Sequence, residues 1–109
     1  MIIAFSTKRL RSLCESQTKA EAEYGIKVAK ELRARLADIR DADNVLDLPA
    51  GRPREIDSSP HNHYAVDLAD GYRLVVCVNH SKVPLLKSRG VDWANVSRIR
   101  VHRIEVEHG

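Results

Sequence analysis

Tyr64-Ala65-Val66-Asp67-Leu68-Ala69-Asp70-Gly71-Tyr72-Arg73-Leu74-Val75-Val76-Cys77-Val78-Asn79 is the stretch that decides the fold. In its first arm Tyr64, Val66 and Leu68 alternate with Ala65 and Asp67, the period of a strand. Asp70-Gly71 marks a hairpin turn. The second arm, Tyr72–Asn79, is nearly continuous in apolar residues, which predicts a central strand covered on both faces. Arg73 lies inside that arm. A guanidinium keeps its charge when partly buried, so it needs a partner there: a carboxylate such as Asp67 or Glu105, or a bound phosphate.

Downstream, His80–Asn95 reads as a long loop with Pro84, Gly90 and the cations Lys82, Lys87 and Arg89. A loop of that length is either functional or mobile. Arg98–Glu107 is the last strand. Ile99 and Val101 share one parity, Ile104 and Val106 the other, and a period of two cannot bury both sets on one face. The pattern predicts a bulge near His102-Arg103, or strand ends packed against different layers.

Upstream, Pro49, Gly51 and Pro53 break regular structure, and Arg54–Asp57 reads as a short strand. Ser58–Asn62 reads as a turn. Asp41–Gly51 is a loop anchored by Val45, Leu46 and Leu48. Before it, Thr18-Lys19-Ala20-Glu21 matches a capping box and opens a helix to about Arg40. Ile26, Ala29, Leu32, Leu36 and Ile39 form its apolar stripe, and Gly25 is a local cost within it rather than a stop. Ser6 or Thr7 caps a shorter helix ending near Ser16, with Leu10, Leu13 and Cys14 inward. Ile2–Phe5 is a first strand, expected at a sheet edge. The fold class is therefore α+β: two N-terminal helices covering one face of a mostly antiparallel, meander-like sheet.

The 109 residues are the size of one domain. With 43% hydrophobic and 30% charged residues, the composition is globular. Residues 1–54 carry 11 Lys/Arg against 8 Asp/Glu, and residues 55–109 carry 7 of each, so the first half holds the whole +3 excess. That bias permits an anionic partner such as RNA, and equally fits solvated helix faces. Cys14 and Cys77 lie apart without metal-type spacing, which fits a reducing compartment. Met1–Phe5 is followed at once by Lys8, Arg9 and Arg11, unlike a secretory signal. The expected location is cytoplasmic, with no membrane span.

There is no Gly-rich phosphate loop, no CxxC, no HExxH and no Gly-x-Ser-x-Gly elbow. Nucleotide hydrolysis, structural zinc and serine-hydrolase chemistry lose their usual support. His61-Asn62-His63 is the one dense imidazole site. It could bind a transition metal or supply acid and base, or it is simply a pair of surface histidines. His102 and His108 share strand parity, and His108 is next to last in the chain.

Three segments in order carry a resemblance to a known family. They are Tyr24–Leu36, Leu48-Pro49-Ala50-Gly51-Arg52 with Glu55-Ile56, and Tyr64–Leu68 with Gly71–Val76. Gly90-Val91-Asp92-Trp93 before Val96 and the last strand also fits. Together they resemble the RelE/ParE toxin superfamily, in particular the HigB-type killer proteins of plasmid-maintenance systems, some of which carry the label "killer suppression protein HigA". The resemblance implies a RelE-like β-α-α-β-β-β fold. It implies a ribosome-dependent mRNA endoribonuclease of a type II toxin–antitoxin system, working without metal or cofactor. The partners implied are ribosome, mRNA and a cognate antitoxin, a small helix-turn-helix protein encoded nearby, in a toxin–antitoxin hetero-oligomer. In such enzymes the ribose 2′-OH attacks the neighbouring phosphate, aided by a base, an acid and cations. Carried over by position, Arg73, His108 and His63 are the catalytic candidates, and Arg52, Arg54 and His61 the RNA-binding ones. Two departures are visible. The family's Lys/Arg-rich loop reads Ser58-Ser59-Pro60-His61-Asn62-His63 here, and the chain ends Glu105-Val106-Glu107-His108-Gly109 without the usual tyrosine. ParE-like relatives instead poison DNA gyrase, and a degenerate toxin would keep only antitoxin binding.

Overall fold

The structure, a computed structural model, describes residues 1–57 and 62–107. Its elements are β1 (Ile2–Phe5), α1 (Lys8–Glu15), α2 (Gln17–Tyr24), α3 (Ile26–Asp41), β2 (Arg54–Asp57), β3 (His63–Asp67), β4 (Tyr72–Val78) and β5 (Arg98–Val106). Short 3-10 turns lie at Val45–Asp47 and Trp93–Asn95. The α+β class holds, but with three helices and a five-stranded mixed sheet. The strand order is β1-β5-β4-β3-β2. The β2-β3-β4-β5 run is an antiparallel meander, while β1 lies at the edge, parallel to β5.

Gly25 is a stop after all. It adopts φ +91°, and its N–H donates to Glu21 O at 2.9 Å, ending α2. Its carbonyl accepts from Ala29 N at 3.0 Å, starting α3. A residue without Cβ takes that backbone angle at little cost, so the expected single helix becomes two. The cap also moves: Ser16 Oγ, not Thr18, accepts from Lys19 N at 3.2 Å, and Glu21 accepts from Gln17 Nε2. Thr7 caps α1 through Leu10 N at 3.1 Å. The break exposes Ile26, and Val28 takes its place in the buried stripe with Ala29, Leu32, Leu36 and Ile39. Leu46 is likewise exposed, leaving Val45 as the buried anchor of its loop and Leu48 partly buried.

The core lies between the helices and one face of the sheet. Ala20, Ala29, Leu32, Leu36 and Ile39 pack there with Tyr64, Leu74, Val76, Ile99 and Val101. Tyr24 of α2 meets Tyr72 of β4 edge-on at 5.4 Å between ring centres. The parity conflict in β5 is resolved by a bulge. Val75 pairs with Arg103, but Val76 pairs with Val101, so His102 is the extra residue. The slip puts Ile99, Val101 and Ile104 all beside helix-facing positions of the sheet. Among the described residues no helix is long and apolar enough to cross a membrane.

Candidate functional site

The other face of the sheet is the one the helix core does not use. Paired residues of adjacent strands share a face, so the register lays out its rows. Arg54, Ala65, Val75 and Arg103 form one row. Asp67, Arg73 and Glu105 form the row to one side, and His63, Cys77 and Arg100 the row to the other. Ala65, Val75 and Cys77 are buried at the floor of this face, so β4 is covered on both sides as its composition predicts. Charged and imidazole side chains stand around that floor.

Those charges form one continuous alternating chain. Arg52 Nε donates to Asp67 Oδ2 at 2.6 Å, and Arg54 Nη1 donates to Asp67 Oδ1 at 3.0 Å. Arg54 Nη2 then reaches Glu107 Oε1 at 2.9 Å. Arg73 Nη1 lies 3.5 Å from the same oxygen. Arg73 also donates from Nε to Glu105 Oε2 at 2.7 Å, with Nη2 2.6 Å from that atom. Arg103 closes the chain on Glu105 Oε1. Four guanidiniums thus share three carboxylates. Arg54, Arg73, Arg103, Asp67 and Glu105 are partly buried and bind each other more firmly than exposed ion pairs do, while Arg52 is largely exposed at the end of the chain.

Burial alone would raise the carboxyl pKa of Asp67, but hydrogen bonds from Arg52 and Arg54 outweigh it and hold the group below its ordinary value. Glu105 behaves alike: burial pushes up, and Arg103 and Arg73 pull it below the usual glutamate value. The sign of the linkage follows. The stabilisation is fully present above the ordinary carboxylate range and is lost as pH falls through that range toward the folded-state values. Denaturant midpoints taken from neutral pH down to about 3 should therefore show an acid limb that Asp67→Asn flattens. An unchanged limb in that variant would remove Asp67 from the account.

His63 is buried at the β3 end of the face. Its ring stacks on His102, the bulged residue, with centres 4.8 Å apart and planes 23° apart. The bulge therefore does two things: it brings a second imidazole to His63, and it turns Arg103 onto the same face as Arg73. Cys77 Sγ donates to Arg100 O at 3.7 Å and is buried. Cys14 lies away from this face, in a cleft with Leu13, Leu32 and Arg40, where burial pushes its thiol up to about 11. A thiol so shifted is a poor nucleophile at neutral pH. Among the described residues no three His, Cys, Asp or Glu side chains are grouped to hold a metal ion.

Of the residues singled out in the sequence, Arg52, Arg54 and Arg73 come together in the ion-pair chain. His63 shares their face, but it lies four residues along β3 from Asp67, about 13 Å of extended strand. His61 and His108 lie outside the described residues, as does the turn over 58–61. Of the two carboxylate partners offered for Arg73, Glu105 is the one it engages. Arg103, Glu107 and the stacking role of His102 were missed. The signal for them was the parity break in β5, which located the bulge without showing which side chains it would turn over. Comparison with protein-family profiles, with curated proteins and with solved structures returned no match to this chain.

Proposed function

We propose that the chain is the toxin of a type II toxin–antitoxin pair, a metal-independent, ribosome-dependent endoribonuclease of the RelE/ParE kind acting on mRNA in the cytoplasm. The observation that carries this reading is the gathering of four guanidiniums and a stacked imidazole pair on the sheet face the helices leave uncovered. Phosphate can replace carboxylate on a guanidinium fork in the same bidentate geometry. Arg73 then binds the scissile phosphate and stabilises its extra charge, with Arg52, Arg54 and His61 holding the flanking RNA. Imidazole serves as either base or acid near neutral pH, which gives His63 and His108 the two proton transfers: removal from the 2′-OH and delivery to the leaving 5′ oxygen. The partner is a helix-turn-helix antitoxin that keeps the enzyme inactive.

Inducible expression in bacteria tests this. The expected result is growth arrest with rapid mRNA cleavage, abolished by Arg73→Ala, His63→Ala or His108→Ala in still-folded protein. Arrest with intact mRNA and broken DNA would instead assign gyrase poisoning of the ParE kind. An absence of toxicity would leave only antitoxin binding. A small helix-turn-helix gene beside this one would support the pairing.

A further inference from the structure

The overall charge hides a local imbalance. Residues 80–100 hold five cations, Lys82, Lys87, Arg89, Arg98 and Arg100, and one acid, Asp92. That net +4 in a fifth of the chain exceeds the +3 of the whole protein. All five cations are exposed, and none makes an ion pair among the described residues. Asp92 is turned to Asn95, whose Nδ2 donates to its carboxylate at 2.6 Å. Each arginine of the ion-pair chain has a carboxylate partner; these five have none among the described residues.

The segment is also held in shape. His80 Nε2 accepts from both Ser97 N and Arg98 N at 3.1 Å, pinning the foot of the loop to the start of β5. Val83 and Val91 pack into the core on either side of the tip. Between them Leu85 bridges Val91, Leu86 N donates to Gly90 O at 2.8 Å, and Asp92 N donates to Pro84 O at 2.9 Å. A tip ordered in advance loses little freedom on binding. Its outer residues, Leu85 to Gly90, are all exposed.

We propose that this arm, the Lys82–Arg89 tip with Arg98 and Arg100 at its foot, docks on the phosphate backbone of double-stranded RNA. Cations with no ion pair among the described residues, spread along a hydrogen-bonded arm, match a polyanion. Single-stranded RNA is held by exposed aromatic platforms, and neither ring in this segment is one: Trp93 is buried, and His80 is tied through Nε2 to the start of β5. Duplex RNA needs no such platform and is bound through its backbone and shape. A membrane surface would call for an amphipathic helix with a broad apolar face, where this arm offers only Leu85 and Leu86. The surface stands on charge and order alone; the choice of RNA among polyanions rests on the function proposed above.

The test is binding of the full chain to a labelled RNA duplex of about 16 base pairs across a KCl series. Lys82→Ala/Lys87→Ala/Arg89→Ala should weaken binding about tenfold or more near physiological salt and lower the log–log salt slope by about two to three. Lys27→Ala/Lys30→Ala, which removes two exposed cations of α3 outside the arm, should bind the duplex as tightly as the parent chain. Cleavage of mRNA in cells is scored apart from this binding, so loss of cleavage and loss of docking read out separately. Unchanged affinity and slope in the triple variant would overturn the proposal. So would preferential binding of a single strand of equal length, or of anionic vesicles, over the duplex. Matching thermal melts of parent and triple variant keep the comparison free of unfolding, since all three side chains are exposed.

Discussion

Gly51→Ala is expected to destabilise the protein by about 2–4 kcal/mol, from backbone strain plus overpacking. Gly51 has φ +85°, a conformation L side chains rarely adopt. A Cβ there would sit 2.5 Å from Val66 Cγ1, 3.0 Å from Asp67 O and 3.3 Å from Arg35 Cδ. Val66 is fully buried and cannot move aside without disturbing the core. Gly51 O also accepts from Asp67 N at 2.6 Å, so a shift there would carry Asp67 away from Arg52 and Arg54. For a domain of this size the loss corresponds to a fall in Tm of more than about 10 °C. Gly71→Ala is the control. It has φ +79° and nothing within 4 Å of a new Cβ, so only the backbone strain of about 1–2 kcal/mol applies. Equal losses at the two positions would sink the packing argument.

Under the endoribonuclease function proposed above, Arg73→Ala is expected to lower RNA cleavage about 100- to 1000-fold, the usual effect of removing one group that stabilises developing charge. It should also cost about 1–3 kcal/mol of stability, because Glu105 and Glu107 each lose a charged partner. Arg73→Lys keeps the charge but not the fork, and should recover little of either. Glu105→Gln separates the two roles. It weakens the same ion pair while leaving the guanidinium in place, so cleavage should survive it. If Glu105→Gln and Arg73→Ala lose cleavage alike, Arg73 acts only as structure.

Much of this was legible beforehand. The hairpin at Asp70-Gly71, a helix cap at Ser6 or Thr7, and a parity break near His102-Arg103 follow from short-range rules of period, turn chemistry and capping; the structure chose Thr7 for the cap and a bulge over split strand ends. Gly25 was misread because its effect depends on which φ it adopts. A glycine inside a helical pattern is a cost or a terminus according to what the flanking helices gain by packing separately. The charge pattern misled for a similar reason. Counting by halves put the excess in residues 1–54, because acids such as Glu55, Asp67, Glu105 and Glu107 were counted against cations of the same half. Folding sends three of those acids to Arg52, Arg54, Arg73 and Arg103, and leaves the five cations of residues 80–100 without a carboxylate partner among the described residues.

The Tyr64–Asn79 stretch determined by itself that an antiparallel hairpin exists, that β4 is central, and that Arg73 needs an anionic partner. Those are local facts, since alternation, turn type and the cost of an unpaired buried charge need no distant residue to be known. Only the tertiary structure decided which carboxylate answers Arg73, which imidazole meets His63, and which cations remain unpaired. Each of these depends on strand register and on one inserted residue in β5, and register is set by the packing of the whole sheet against the helices.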